Sequence, residues 1–159
     1  MNNIQFYIDM TCNDDDEFNS GHEVFDEYFK NHNDSSVMHY IYDAENEKIA
    51  AYFSLISSAM LSNEKRGIGA IPAIELKMFA LDKGYQGKKI APLFLNTIIK
   101  LIKHYSIDFV GAKVILLYSV PIGSVIRLYE SCGFYKADDS FATYKSDFNE
   151  GCVPMFKLL

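Results

Sequence analysis

The stretch from Ile74 to Ala91, which reads IELKMFALDKGYQGKKIA, constrains the fold of this chain more than any other. It begins with strand-compatible residues, breaks at Asp-Lys-Gly (82–84) and enters a segment of helical periodicity after Gln86. The N–H groups of a first helical turn have no partner within the helix and lie at the positive end of its dipole, so they can bind an anion such as pyrophosphate. The stretch therefore predicts a strand, a turn and a helix start at which Gly87 lets the backbone approach a ligand closely.

Composition and size are those of one soluble globular domain covering residues 1–159, because 49% of the residues are apolar and 23% are charged. The N-terminus lacks the pattern of a signal peptide, and no apolar stretch is long enough to span a membrane. The chain has three cysteines, an odd number, and their spacing is not that of a metal site or a redox pair. They are Cys12, Cys132 and Cys152. We therefore expect reduced thiols in a cytoplasmic protein, with no membrane partner and no metal site.

The charge balance argues against a nucleic acid partner. The formal net charge is −6, with 21 acidic against 15 basic side chains. Proteins that bind phosphate backbones usually carry a basic surplus. Acidic runs at 14–17 and 138–139 could attract a cationic amine, although solvated loops are the simpler interpretation.

Periodicity and turn signals predict a chain of mixed α/β class. The two long polar segments at 57–71 and 136–151 are predicted as loops, the second as a flap beside an acceptor. In chain order the predicted elements are a strand at 4–10, a helix at 18–30, a hairpin of strands at 37–42 and 49–56, a strand at 74–81, a helix from 90 to 104, a strand at 113–118, a helix at 125–132, and strands at 134–135 and 153–158.

Two motifs resemble those of the GCN5-related N-acetyltransferases. The first is Gln86-Gly87-Lys88-Lys89-Ile90-Ala91, which is similar to the family's acyl-CoA-binding motif Gln/Arg-x-x-Gly-x-Gly/Ala; its first and last residues match, and Lys89 replaces the first glycine. The second is Leu128-Tyr129-Glu130-Ser131-Cys132-Gly133-Phe134, which is similar to Leu/Phe-Tyr-x-x-x-Gly-Phe. The order and spacing of the two motifs are typical of the family.

The resemblance implies a single mixed α/β (α+β) domain whose mostly antiparallel sheet of about six to seven strands is flanked by helices. It also implies acetyl-CoA as the cofactor, with its pyrophosphate on the motif turn and its pantetheine arm beside the preceding strand. An asparagine that often precedes the second motif is replaced by Ile122, with Ser124 as a nearby substitute. The cofactor-binding residues that the resemblance implies are Phe79, Ala80, Leu81, Gln86, Gly87, Lys88, Lys89, Ile90, Ala91 and Ser124.

Two residues are candidates for catalysis. Tyr129 matches the family's general acid, and a phenol with an ordinary pKa near 10 stays protonated until a thiolate needs the proton; the alternative is one more aromatic side chain in the core. Glu75 resembles the general base of the histone-acetylating branch. Strand alternation places it on the same face as Lys77, so a structural ion pair is the alternative.

Three functions remain open from the sequence. The resemblance implies transfer of an acetyl group to a primary amine of a small molecule or a protein, by direct attack in a ternary complex, with a homodimer compatible with the fold. Phe18–Gly21, the tyrosine-rich hairpin and Ile71-Pro72 resemble the toxin branch, which acetylates aminoacyl-tRNA; this would require a basic groove and an antitoxin partner. The third is a non-catalytic acyl-CoA-binding module, against which the presence of Tyr129 argues.

Overall fold

The computed structural model describes residues 5–13, 16–64, 67–138, 141–142 and 151–159. Eight strands, three α-helices, one 3₁₀ turn and one π-helical turn are found in these residues. The elements are β1 (Phe6–Asp9), α1 (Glu23–Asn31), β2 (Val37–Asp43), β3 (Lys48–Glu64), β4 (Gly67–Leu81), the 3₁₀ turn (Lys83–Tyr85), α2 (Ala91–Tyr105), the π-helical turn (Ser106–Val110), β5 (Val114–Ser119), α3 (Gly123–Ser131), β6 (Tyr135–Lys136), β7 (Phe141–Ala142) and β8 (Val153–Leu158).

The sheet is mixed and mostly antiparallel. Seven strands follow the order β1-β2-β3-β4-β5-β8-β6, and β7 pairs with β3 outside this path. The ladders of β1 with β2, β2 with β3, β5 with β8 and β6 with β8 are antiparallel, whereas β4 and β5 are parallel. The predicted α/β class is confirmed, with β7 added to the six to seven expected strands.

The chain divides into two compact units, and the long strands β3 and β4 contribute to both. The first unit contains Met1–Ile56 and Lys77–Ile90, and the second contains Ser57–Leu76 and Ala91–Leu159. In the described part of the chain, no helix has both the length and the apolar character of a membrane span.

The core of the first unit lies between α1 and the sheet. α1 carries Glu23 and Asp26 in its first turn and Lys30 in its last, an arrangement that suits the helix dipole. Its inner face presents Phe25, Tyr28 and Phe29 to the sheet. These three side chains are partly buried, so each contributes less than the roughly 1.5–3 kcal/mol of a fully buried apolar side chain. The buried cluster beneath α1 consists of Phe18, Met38, Tyr40, Tyr42, Ile49, Tyr52, Met78 and Ala80.

The second unit has its own buried residues. β5 is buried along nearly its whole length, as its continuous apolar sequence predicted. One cluster joins Met60, Ala73, Val114 and Leu116. The stripe that α2 buries consists of Phe94, Leu95, Ile98, Ile99 and Ile102.

The predicted loop at 57–71 is wrong where the structure describes it. β3 continues to Glu64 and β4 begins at Gly67, so these residues extend the two longest strands. Serines and glycines weaken local strand preference, but ladder hydrogen bonds and burial of Met60 outweigh it. Of the predicted flap at 136–151, the described part includes β7, which pairs with β3; residues 139–140 and 143–150 lie outside the described residues.

Candidate functional site

The turn that follows β4 has an unusual backbone. Asp82 caps the 3₁₀ turn by accepting a hydrogen bond from the Gly84 N–H at 2.8 Å, and Gln86 then continues in an extended conformation. Gly87 and Lys89 both adopt left-handed backbone conformations, with φ of 73° and 60°. α2 begins two residues later, at Ala91, so the turn delivers the chain directly to a helix N-terminus.

The lysine that replaces the motif glycine keeps the conformation that a glycine favours. L-residues other than glycine enter the left-handed region at a cost of about 1–2 kcal/mol. Lys89 enters it and leaves its side chain exposed to solvent. Lys89 therefore adopts a backbone conformation that a glycine would adopt at lower cost.

Gln86 holds the turn together from within the first unit. Its Nε2 donates hydrogen bonds to the carbonyls of Ser20, at 2.8 Å, and Leu81, at 2.9 Å. Its backbone N–H donates to the Lys83 carbonyl at 3.3 Å. These contacts give Gln86 a positioning role, and its predicted contact with the cofactor stays a prediction.

Two further ties hold the same turn. The Asp82 carboxylate accepts a hydrogen bond from the Asn19 N–H at 2.9 Å, and the Lys83 N–H donates to the Asn19 carbonyl at 2.8 Å. The Tyr85 hydroxyl donates to Asp43 at 2.7 Å. The turn is thus fixed against the segment before α1 and against the hairpin between β2 and β3.

Asp43 is a fully buried carboxylate at the end of β2. Burial opposes its ionisation, but hydrogen bonds from Asn46, Tyr85 and Glu45 outweigh burial and hold the pKa of Asp43 below its ordinary value. Burial, followed by the bond to Asp43, raises the pKa of Tyr85. The pair therefore keeps a carboxylate and a protonated phenol over the physiological pH range, which preserves the tie.

Positive charge is concentrated on this turn. Lys88 and Lys89 are exposed, and Lys88 Nζ lies 5.3 Å from the centroid of the Tyr85 ring. At this distance the ring face attracts the ammonium group. A Cβ atom built at Gly87 would meet no atom within 4 Å, so the backbone there is open to an approaching group. The residues present suit a phosphate-bearing ligand.

β4 shows the alternation predicted for it. Leu76, Met78 and Ala80 are buried. Glu75, Lys77, Phe79 and Leu81 are half-buried. The parallel ladder between β4 and β5 covers Ala73 to Glu75, while β4 itself continues to Leu81. The main-chain groups of 79–81 therefore lie beyond that ladder.

The structure gives Lys77 a carboxylate partner in the connection between α1 and β2. Its Nζ lies 2.7 Å from Asp34 Oδ2, and Asp34 also accepts hydrogen bonds from Ser36 and Tyr28. Burial opposes ionisation of Asp34, but Lys77 and Ser36 outweigh it and lower its pKa far below the ordinary value. Glu75 is half-buried on β4, opposite Leu116 of β5.

Tyr129 lies in the second unit on α3. Its side chain is 8% exposed, and its ring meets the Phe134 ring edge to face, with 5.8 Å between centroids. Burial, with a smaller contribution from Cys132, raises the pKa of the phenol. Among the described residues, no hydrogen-bond partner of the hydroxyl is found. Tyr129 therefore keeps its proton over the physiological pH range.

The Gly-Phe of the second motif turns the chain back onto this tyrosine. Gly133 has a φ of 86° and ends α3, with its N–H donating to the Glu130 carbonyl. The Phe134 N–H donates to the Tyr129 carbonyl at 3.1 Å, which brings the two rings together. Ser124 is exposed in the first turn of α3, and Ile122, at its N-cap, is 52% exposed.

Comparison with known proteins identifies the fold. No protein-family model and no curated protein matches the sequence. A mutant AtaT toxin bound to the C-terminus of the antitoxin AtaR and acetyl-CoA has a TM-score of 0.69 and 16% identity, over 96% of this chain and 92% of that one. AtaT complexed with acetyl-methionyl-tRNAfMet has a TM-score of 0.72 and 15% identity, over 97% and 95%. The KacTA–DNA complex has a TM-score of 0.71 and 17% identity, over 97% and 93%.

These likenesses extend over almost the whole chain, so the shared architecture is not limited to one motif. The chain has the fold of the GCN5-related N-acetyltransferases, as its two sequence motifs predicted.

Asn19, Ser20 and Asp43 are contributors to the site that sequence reasoning missed. They hold the turn in place from positions 42 to 66 residues away in the chain. Phe18–Gly21 drew attention only through its resemblance to the toxin branch. No local pattern in the sequence indicates these long-range hydrogen bonds.

Proposed function

We propose that this protein is an acetyl-CoA-dependent N-acetyltransferase that transfers the acetyl group to an amine by direct attack in a ternary complex. The observation that carries the proposal is the turn before α2. Its left-handed residues Gly87 and Lys89 lead the chain into a helix N-terminus beside two exposed lysines. Backbone N–H groups in this arrangement bind phosphate groups well.

The proposed cofactor contacts follow from this geometry. Backbone N–H groups from Gly87 to Ala91 hold the pyrophosphate, and Lys88 and Lys89 add positive charge beside it. The main-chain groups of Phe79 to Leu81 hydrogen-bond the pantetheine arm and donate to the thioester carbonyl, because they lie beyond the β4–β5 ladder. The bound cofactor supplies the activated acetyl group, and the chain holds it in position for attack.

Tyr129 acts as the general acid in this proposal. The attacking amine forms a C–N bond to the acetyl carbon, the C–S bond breaks, and the sulfur leaves with the electron pair of that bond. Tyr129 donates the proton that makes this sulfur a neutral thiol. Burial favours the role because it keeps the phenol protonated.

Glu75 is the proposed base. A carboxylate on the half-buried face of β4 can accept the proton that the amine must lose, directly or through a water molecule. Solvent can take this proton instead, in which case Glu75 is dispensable for chemistry. We place the protein in the cytoplasm, consistent with the free thiols of Cys12, Cys132 and Cys152, and a homodimer is compatible with the fold.

Two acceptor classes fit the proposal. The first is a primary amine of a small molecule or a protein. The second is the amino group of an aminoacyl-tRNA, which is favoured by the likeness to AtaT complexed with acetyl-methionyl-tRNAfMet. An acetylating toxin would also have an antitoxin, as AtaT has AtaR. The net charge of −6 disfavours RNA, but exposed Lys100 and Lys103 on α2 provide local positive charge.

An assay for the free thiol released from acetyl-CoA identifies which class of acceptor the protein uses. The protein is incubated with acetyl-CoA and one of three acceptors: aminoacyl-tRNA, a polyamine and aminoglycoside panel, or a lysine-bearing peptide. Turnover with charged but not uncharged tRNA assigns the second class, and turnover with the other acceptors assigns the first. Thiol release with none of them, despite acetyl-CoA binding, would identify a non-catalytic acyl-CoA-binding module instead.

A further inference from the structure

The Tyr85 ring lies under one of the two lysines of the turn before α2. Lys88 Nζ is 5.3 Å from the centroid of that ring, a distance at which the ring face attracts an ammonium group. Left-handed backbone conformations at Gly87 and Lys89 flank Lys88. The turn therefore brings Lys88 back onto a ring three residues earlier in the chain.

The ring itself is fixed by contacts with two other segments of the first unit. The Tyr85 hydroxyl donates a hydrogen bond to Asp43 Oδ2 at 2.7 Å. Asp43 is fully buried at the end of β2, and Asn46 Nδ2 donates to the same oxygen at 2.7 Å. The Phe6 ring of β1 meets the Tyr85 ring edge to face, with 6.2 Å between centroids. The phenol is therefore anchored both to the hairpin between β2 and β3 and to β1.

The neighbouring lysine, Lys89, differs from Lys88 in this respect. Both side chains are exposed, so both can bring positive charge to a phosphate group. Among the described residues, no aromatic ring is found against Lys89. A lysine side chain loses rotamer entropy when it contacts a ligand, and a side chain that is held beforehand loses less. The two lysines therefore offer the same charge, but the Lys88 ammonium is the one already held in place by a ring.

We propose that Tyr85 is a positioning residue for phosphate binding: its ring holds the Lys88 ammonium beside the turn, where the ammonium contacts the pyrophosphate group of the cofactor. This role rests on the proposed function, and it adds Tyr85 to the residues that set the affinity for the cofactor. An ammonium group has three N–H donors, so one side can face the ring while the others reach phosphate oxygens. Asp43 acts one step further away, because it holds the Tyr85 hydroxyl.

Two other roles for Tyr85 lead to different results. If the ring competed with phosphate for the Lys88 ammonium, removal of the ring would tighten cofactor binding. If Tyr85 served only to tie the turn to Asp43, loss of the hydroxyl would weaken binding as much as loss of the whole phenol. The direction of the change and a comparison of two substitutions at Tyr85 therefore separate the three roles.

A mutant cycle measured by calorimetric titration with acetyl-CoA tests the proposal. Tyr85→Phe and Tyr85→Leu both lose the hydroxyl, and only Tyr85→Leu loses the ring. Tyr85→Leu should therefore bind acetyl-CoA about two- to fivefold more weakly than Tyr85→Phe, the range of an exposed cation–π contact. In a Lys88→Ala background the two variants should bind equally. In a Lys89→Ala background the difference should persist, so Lys89 is the matched control.

A second measurement needs no ligand. A side chain held over an aromatic face has its proton signals displaced upfield by the ring current. In NMR spectra of the free protein, the Lys88 methylene signals should be displaced in the unchanged chain and in Tyr85→Phe, and should return to ordinary positions in Tyr85→Leu. Tyr135→Leu removes an exposed ring elsewhere and should change neither these signals nor acetyl-CoA affinity. Undisplaced Lys88 signals in the unchanged chain would overturn the positioning role.

Titration with inorganic pyrophosphate separates this role from the proposed function. A Lys88-dependent difference between Tyr85→Phe and Tyr85→Leu with pyrophosphate, in a protein that does not bind acetyl-CoA, would support the positioning role and refute acetyl transfer. Equal acetyl-CoA binding by the two variants, tighter binding by Tyr85→Leu, or a difference that survives Lys88→Ala would overturn the positioning role and leave acetyl transfer standing. Binding of neither compound by the folded protein would overturn both.

Discussion

Lys89 occupies a backbone conformation that an L-residue reaches only at a cost. Lys89 stands where the related motif has glycine, and its φ is 60°. Gly87, two residues earlier, has a similar φ of 73°. The position therefore combines a strained backbone with a side chain that brings positive charge to the turn. Conformation and charge can be separated by two substitutions.

Lys89→Gly should raise the free energy of unfolding by about 0.5–1 kcal/mol, because relief of the left-handed strain exceeds the entropy that glycine adds to the unfolded chain. Lys89→Ala removes the same charge and keeps the strain, so it should not stabilise the protein. Chemical denaturation measures both changes. Equal stabilisation by the two variants would show that charge, and not backbone strain, sets the stability at this position.

Tyr129→Phe should preserve acetyl-CoA binding and lower the rate of acetyl transfer by about 10²-fold, because it removes a proton donor and keeps the buried ring. Tyr135→Phe, at an exposed tyrosine, is the control. Burial raises the Tyr129 pKa, so any alkaline loss of rate due to its deprotonation must fall above pH 10. An unchanged rate in Tyr129→Phe would remove this residue from the mechanism.

At the scale of elements, the turn between β4 and α2 is held by hydrogen bonds from distant segments. Gln86 joins Ser20 and Leu81, and Tyr85 joins Asp43. These ties fix the turn before any ligand arrives, so less ordering entropy opposes binding. Disturbing a tie should therefore affect stability and ligand affinity together.

Gln86→Ala should cost about 1–3 kcal/mol of stability, because two hydrogen bonds to backbone carbonyls are lost. Acetyl-CoA affinity should fall with it. Gln5→Ala, at an exposed glutamine, is the control. Hydrogen exchange should show faster exchange of the amides of 82–89 in Gln86→Ala. Unchanged exchange and affinity would mean that these two hydrogen bonds do not hold the turn.

The π-helical turn makes a separate prediction about buried hydroxyls. Ser106→Ala should be neutral or stabilising by up to about 1 kcal/mol, because it removes a buried hydroxyl that has no hydrogen-bond partner among the described residues. Ser119→Ala should destabilise by about 1 kcal/mol, since Ser119 is also buried but donates to the Val120 carbonyl at 3.0 Å. Thermal unfolding compares the two variants, and a destabilised Ser106→Ala would contradict an unsatisfied hydroxyl at this position.

The elements that sequence patterns predicted well are those set by local contacts. The turn at 82–87 and the glycine end of α3 follow from residues within one or two turns of each other. The strand ends at 57–64 and 67–71 were missed because pairing with distant residues overrode local composition. The tie between Gln86 and Ser20 spans 66 residues, so no local pattern could reveal it.

For the whole molecule, the central question is how an acidic chain would bind the polyanionic cofactor that we propose for it. The net charge of −6 repels acetyl-CoA at long range, so affinity must come from the helix N-terminus and from Lys88 and Lys89. Because these contacts are charge-assisted and solvent-exposed, binding should weaken as ionic strength rises. This dependence distinguishes phosphate recognition from burial of the pantetheine arm.

Calorimetric titration with acetyl-CoA, with dephospho-coenzyme A as the comparison, is the most direct test. We expect binding in the micromolar range, about −8 kcal/mol, and this binding should weaken with salt and in the Lys88→Ala, Lys89→Ala double variant. Weaker binding of the dephospho compound would show that basic side chains read the additional phosphate. No binding of acetyl-CoA by the folded protein would contradict the proposed site and leave the fold without this chemistry.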